Sequence, residues 1–398
     1  TLNFSADLHK LSVAQYLNIP AFQGVNGQVY WQQGLGKLFV DTKQFAFDDE
    51  NLFTHPFAFD RLYLNLDMQY LASKKTAVYI HDLYLNNKVL HEHFRGVVKV
   101  NPSISNAPYL SFLSTLTFSD LKKLNAYMPV KVLGGPTRAW FQQAFLGGSL
   151  AANISFRGRV DHFPFHHNIE SFSENGHIKN LKLCYSPKWP SLVAKKATLN
   201  VFDDRLKLYS PKVSMRQIIA DNVATEIPSL SADNPNFLLK LTSHSDVRNV
   251  IDVVSHGSLP DAVKQSLNAL GAKGLMALKF QLFVPLNNVD NTTLYGKLHF
   301  KDGSLSALNM PDSIKHIKGT IFFTQNMVQA TDVSANIFGH PAVMNAITAH
   351  DNSGLDILEV RTKGYFDSNY LQTLTKLPIS KFVSGAFPFD AYVVRVLN

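Results

Sequence analysis

Histidines and carboxylates are the first places to look for chemistry, and the chain carries 15 His. Asp161, His162, His166 and His167 bracket the triplet Phe163-Pro164-Phe165. On an extended segment His162 and His166 share a face and could offer two imidazoles to a metal ion. The same residues suit a strand edge and turn, because Pro164 interrupts a β-ladder. His91-Glu92-His93 puts two imidazoles on one strand face, a pattern equally at home on the wet rim of a sheet. His81-Asp82 and Ser255-His256 are pairs without a third member. Asp48-Asp49 and Asp203-Asp204 fall where turns are expected, since Asp bonds to its own backbone there. Cys184 is the single cysteine, which excludes an internal disulfide and a Cys-rich zinc site. The run from Gly271 to Gly274 lacks the spacing and the Lys-Ser/Thr pair of a phosphate-binding loop. No Gly-x-Ser-x-Gly elbow and no His-Glu-x-x-His helix occurs. These residues specify no catalytic set, no cofactor and no metal site.

The elements that would position any site are mostly strands. Val25, Gly27, Val29 and Trp31 alternate with Asn26, Gln28 and Tyr30. Leu62, Leu64 and Leu66 do the same, as do Leu199 with Val201, and Leu206 with Leu208. The longest runs are Leu278, Phe280, Leu282, Val284, then Leu294, Gly296, Leu298, Phe300, then Ile317, Gly319, Ile321, Phe323. Period-2 alternation with Lys, Gln, Thr and His opposite predicts an antiparallel sheet with one wet face. Short helices are predicted between strands. One runs from Ser245 to Gly257 and a second from Pro260 to Gly271. Ser119 would cap Leu121 and Leu124. Pro136 would open a helix bearing Trp140, Ala144 and Phe145, stopped at Gly147-Gly148. Residues 7–18 and 368–376 also read as helical.

The chain resembles itself. Asp7 to Pro20 is similar to Asp367 to Pro378, with Gly24 and Gly385 following, and to Ser119 to Pro129. Phe163-Pro164-Phe165 recurs as Phe387-Pro388-Phe389. Strand pairs recur at Gly27–Phe45, Ala197–Val213 and Gly319–Val333, which points to a degenerate strands-plus-helix repeat. The expected layout is a β-repeat segment over 1–105, a helical insertion over 106–150, and a second β segment over 151–235. A helical pair over 236–275 and a third β segment over 276–398 complete it, all in one continuous elongated domain.

Composition narrows the function. The 38 Lys+Arg and 30 Asp+Glu give +8, spread without a basic block, so nucleic acid is not an expected partner. Charged residues are 17% against about 25% in an average soluble protein. With 29 Phe and 14 Tyr, much apolar surface must meet a core, a partner or an apolar ligand. A closed sandwich would satisfy it internally, and an open sheet would leave it for a ligand. Alternation alone does not separate the two.

A set of ordered residues does. Met128-Pro129, Pro136 to Trp140, Gly147-Gly148, Phe156 to Gly158, the Phe-Pro-Phe at 163, Asn175-Gly176, Tyr185 and Trp189-Pro190 come in sequence. Phe280, Pro285-Leu286, Gly296, Gly319, Phe323 and Gly339 to Pro341 follow. This order resembles the YhdP branch of the AsmA-like proteins of Gram-negative bacteria, most closely from about 110 to 345. The departure is Gln142-Gln143, where a more apolar helix face is expected. The resemblance implies a mainly β fold with short amphipathic helices, built as a long, curved, antiparallel sheet forming an open gutter with an apolar floor. It implies a periplasmic, non-enzymatic conduit that moves phospholipid between inner and outer membranes and supports the outer-membrane barrier. It also implies an inner-membrane anchor outside this chain, a possible outer-membrane contact, and a position as a central segment. The alternating strands then nominate a lipid floor of Leu199, Val201, Leu278, Phe280, Leu282, Val284, Leu298, Phe300, Ile321 and Phe323. The rival expectation is an envelope-assembly scaffold with a closed hydrophobic core.

Overall fold

The computed structural model describes residues 3–16, 20–51, 53–70, 75–102, 105–127, 142–163, 165, 169–184, 187, 190–230, 232–256, 271–286, 288, 291–306, 314–324, 327–337, 339–350 and 356–396. Within these residues lie twenty strands. The first ten are β1 (Asn3–Val13), β2 (Ala21–Gln32), β3 (Leu35–Asp48), β4 (Phe57–Tyr70), β5 (Thr76–Asn86), β6 (Leu90–Asn101), β7 (Ser105–Phe118), β8 (Phe145–Arg159), β9 (Ser171–Leu183) and β10 (Leu192–Phe202). The rest are β11 (Arg205–Met215), β12 (Ile218–Ile227), β13 (Asn236–Asp246), β14 (Lys273–Pro285), β15 (Thr293–Leu305), β16 (Ile314–Phe323), β17 (Val328–Ile337), β18 (His340–His350), β19 (Asp356–Asp367) and β20 (Ala386–Val396).

The chain forms two compact units. The first comprises 1–185, 192–210 and 226–235; the second comprises 186–191, 211–225 and 236–398. In the first, each strand from β1 to β10 pairs antiparallel with the next. In the second, β13 to β20 repeat that meander. β11 and β12 each run from one unit into the other. The strands form an open antiparallel sheet, as expected, not closed into a barrel.

Strand dominates and helix is scarce, so helices among the described residues are too few to cover either face. The total accessible surface is large, as an open sheet requires. It is 24300 Å² for 44.5 kDa. A closed monomer of that mass exposes about 15,600 Å², and two separate compact bodies of half the mass about 18,800 Å². The excess therefore lies within the units. Among the described residues the fully buried hydrophobics include Val40, Phe118 and Leu121, and Ala335, Ile337 and Ala342 form a cluster under Ile314, Ile317 and Met344.

Single left-handed residues interrupt the strands: Lys10, Gln44, Asn180, Asn222, His316 and Asp332 have φ near +50° to +58°. Several mark register shifts, and such bulges bend a strand and increase its twist. They line up across neighbours. In β1–β3 the left-handed Lys10, Gly24 and Gln44 are joined by one network. Asn26 Oδ1 accepts from the Lys10 amide at 3.0 Å, and Asn26 Nδ2 donates to Thr42 Oγ1 at 2.8 Å. Thr42, 2% exposed, donates to the Gly24 carbonyl at 2.5 Å.

The bulges also account for a wrong expectation. Residues 7–18 read as a helix. Residues 7–13 lie instead on β1, where Lys10 is the extra residue of a bulge and pairing with β2 slips between Leu8 and Leu11. The likeness of Asp7–Pro20 to Asp367–Pro378 is thus not structural. The latter does form a helix, α3 (Ser368–Thr375), with Asp367 accepting from the Tyr370 amide at 2.9 Å and Lys376 closing it at φ 58°. Ser119 is not the cap of its helix. Asp120 accepts from the Lys122 amide and starts a 3₁₀ turn, Leu121–Lys123, which runs into α1 (Leu124–Tyr127). Likewise Ser245 is buried in β13, and Asp246 accepts from the Arg248 amide at the start of α2 (Val247–Ser255). The span 106–150 begins in β7 and ends in β8, so Gly147-Gly148 sits inside a strand. Gln142 and Gln143 face solvent while Ala144 is fully buried, so the polar pair stands clear of the packing. The predicted helices from Pro136 and Pro260 fall largely outside the described residues. Phe163 and Phe165 fold over Phe156 and Phe172, whereas Phe387-Pro388-Phe389 is part of β20, so that repeat is also not structural.

Thr42→Val preserves shape but removes the Thr42 bonds to the Gly24 carbonyl and the Asn26 amide, which stay bonded to each other at 3.1 Å, a loss of about 1 kcal/mol. Amide hydrogen exchange across β1–β3 should accelerate accordingly, with β14–β20 unchanged.

Candidate functional site

Cross-strand register decides which side chains share a face, because directly opposed residues point the same way. On β14, Leu278 opposes Leu298, Phe280 opposes Gly296, and Leu282 opposes Leu294. On β15, Leu298 opposes Ile321, Gly296 opposes Phe323, and Phe300 opposes Gly319. Toward β13, Phe280 meets Leu241, Leu282 meets Leu239 and Val284 meets Phe237. The eight nominated residues of the second unit therefore occupy one face of three adjacent strands. All eight are half-buried. The face continues through Ala330, Ala346, Val360 and Val393 to β20. Alternation alone missed Met276, Leu239 and Leu241, whose strand neighbours settle their side.

The other face is polar. Lys279 directly opposes Lys297, whose ammonium lies 5.2 Å from the Phe322 ring centre. Arg361 forks onto Asp390 at 2.9 and 2.6 Å. In the first unit Arg61 forks onto Asp41, and Asp82 accepts from His93 and Arg95. The His93 hydrogen bond, followed by that of Arg95, holds the Asp82 carboxyl below its usual range. These pairs are largely exposed and contribute little stability. They fix polarity: one side of each sheet is wet and the other oily.

In the first unit Leu199 opposes Gly176 and Val201 opposes Glu174 on β9. Leu199 is half-buried and Val201 is 9% exposed. The same face carries Leu150, Ile154 and Phe156 of β8, Phe112 and Leu116 of β7, and Leu83 and Leu85 of β5. At one end Tyr127 stacks on Phe57 and meets Phe118 edge-on, both with centroids 5.1 Å away, while its hydroxyl accepts from Asn87 at 2.8 Å. The short helix α1 thus covers only the end of this face.

Two carboxyls stand on it. Glu92 of β6 opposes Leu85 and Leu116; Glu174 of β9 opposes Ile154 and Val201. Burial pushes the Glu92 carboxyl above its usual range, with a counteracting hydrogen bond from Ser114 Oγ at 3.1 Å. Burial alone pushes Glu174 up. Glu92 had been read as part of a wet rim; register places it on the oily side and its neighbours His91 and His93 on the other.

Of the suspected metal residues, the two described ones are engaged in ion pairs. His162 pairs with Glu170 at 2.9 Å and Asp161 pairs with Arg159. His166 and His167 lie outside the described residues. No group of three or more His, Cys, Asp or Glu suited to a metal occurs among the described residues.

Glycines on the oily face lie under aromatic rings. A Cβ on Gly296 would stand 2.0 Å from the Phe323 ring, and one on Gly158 2.5 Å from Phe165. The ring lies down over its glycine and the surface stays low.

The family model described as YhdP protein matches residues 1–398. A curated relative, the "Intermembrane phospholipid transporter YhdP" of Escherichia coli (strain K12), is 23% identical over 254 residues. That match covers 63% of this chain and 20% of the relative, so the chain corresponds to a fraction of the relative's length. No solved structure matches.

Gly296→Ala should force the Phe323 ring upright or shift β16, at about 1–3 kcal/mol. Thermal unfolding followed at β14–β16 by hydrogen exchange measures it.

Proposed function

We propose a function from one premise: the chain belongs to the YhdP protein family. It is a segment of a conduit that carries phospholipid between membranes, with the acyl tails lying on the apolar face of its sheets. The observation that carries this reading is the run of half-buried Leu, Phe, Val and Ile held in register on one face of an open sheet. Extracting a lipid into water costs about 0.8 kcal/mol per CH₂ exposed. A continuous oily face removes most of that cost without specific contacts. The four residues Leu278 to Val284 on one strand span about 20 Å. A hydrocarbon leaflet is about half of a 30 Å core, so one tail fits along a strand.

Leu199, Val201, Leu278, Phe280, Leu282, Val284, Leu298, Phe300, Ile321 and Phe323 are the tail contacts of this proposal. Headgroups stay at the edge of the face. The work is done in the periplasm, with the inner-membrane anchor supplied outside this chain and an outer-membrane contact at the far end. No helix among the described residues is long and apolar enough to cross a membrane. The transfer needs no bond-making step, and no cofactor enters it. The scaffold alternative requires a closed core, and the open sheet argues against it.

Photo-crosslinkers at Phe280 and Leu298 should capture phospholipid in cells, and those at Lys279 and Lys297 should not. Capture at the lysines alone would reverse the assignment of faces. Leu298→Asp removes one tail contact worth about 1.5 kcal/mol and should weaken lipid retention by about tenfold.

A further inference from the structure

An oily face gains nothing from a carboxylate, yet the first unit carries Glu92 and Glu174 on it. Both are half-buried. Glu92 is surrounded on this face by Leu90 and Phe94 of its own strand, Leu83 and Leu85 of β5, and Ser114 and Leu116 of β7. Glu174 has Phe172 and Gly176 beside it, Ile154 of β8 and Val201 of β10 across from it. No cation of these strands faces either one. Asp82, His93 and Arg95 are bonded together on the opposite face. Near Glu174, Asp203 is held by the Phe172 amide at 2.8 Å. The turn that brings Phe163 onto Phe172 carries Asp161 and His162, which pair with Arg159 and Glu170. Among the described residues neither carboxyl thus has a counter-charge to keep it ionised beneath hydrocarbon.

We propose that Glu92 and Glu174 make lipid occupancy of this face proton-linked: a tail that covers either carboxylate binds together with one proton drawn from solvent. This rests on the reading of the face as a lipid surface. An ionised carboxylate in hydrocarbon costs far more than a neutral one. Covering the group therefore favours its protonated form, in the direction that burial already pushes both carboxyls. The sign follows. The covered state holds the proton more tightly than the open state, so lipid binding is strongest at low pH. It weakens as pH rises through the carboxyl's value in the covered state. Glu92 and Glu174 are three strands apart, about 14 Å, so they titrate independently. Ser114 gives Glu92 a hydrogen-bond partner in either state. Glu174 has none at its carboxyl among the described residues, so its ionised form is the more costly under a tail.

The test is binding of phosphatidylcholine with a fluorescent tail, whose headgroup does not titrate over the range, at about pH 5.5 and about pH 8. The wild-type chain should bind several-fold more weakly at the higher pH, and E92Q/E174Q should bind equally at both. Each single variant should lose part of the dependence, E174Q more than E92Q. Wild-type chain mixed with lipid in weakly buffered solution should take up protons, and this reading needs no variant to fold. Binding without pH dependence or proton uptake, or a dependence unchanged in E92Q/E174Q, overturns the proton link and leaves the lipid face standing. Absence of wild-type binding at both pH values overturns the lipid face and the link with it.

Discussion

The structure turns on an imbalance of surfaces. An antiparallel meander of alternating residues has one oily face, which must be covered by something. Among the described residues helix is too scarce to do it, and the sheet stays open. Hydrophobic burial normally supplies the largest favourable term in folding. These units give up part of it and keep the surface available. Backbone ladders, cross-strand aromatic pairs such as Phe112 on Phe156, and ion pairs on the wet side hold the sheet without a thick core.

That arrangement explains the placement of the special residues. Left-handed single residues such as Gln44 and Asp332 break the ladder where a strand must bend. Glycines such as Gly296 let a ring lie flat instead of standing up into the face. The short helix α1 covers one end only, through Tyr127 against Phe57 and Phe118. Each device shapes an apolar surface. None brings together the nucleophile, base and oxyanion donors that acyl or phosphoryl chemistry would use.

Much of this was legible in the sequence. The alternation from Leu278 to Phe323 located three strands and placed all eight residues on one side, because a two-residue period survives wherever a strand is unbroken. The reading failed where strands are bulged. Lys10 inserts one residue between Leu8 and Leu11, which breaks the two-residue period of β1. Caps slipped by one position at Ser119 and Ser245, since an adjacent Asp can serve and its carboxylate is the stronger acceptor. Glu92 could not be assigned from the string His91-Glu92-His93, because only pairing with Leu85 and Leu116 tells which side faces oil. Open or closed was also beyond alternation, and the unclosed sheet decided it.

The central claim is that these oily faces meet hydrocarbon and not each other. Native mass spectrometry of the purified chain tests it most directly. The account predicts phospholipid carried along through purification, or taken up from vesicles, in several-molecule steps that disappear when the oily face is made acidic. A chain that stays free of lipid after incubation with vesicles would contradict it.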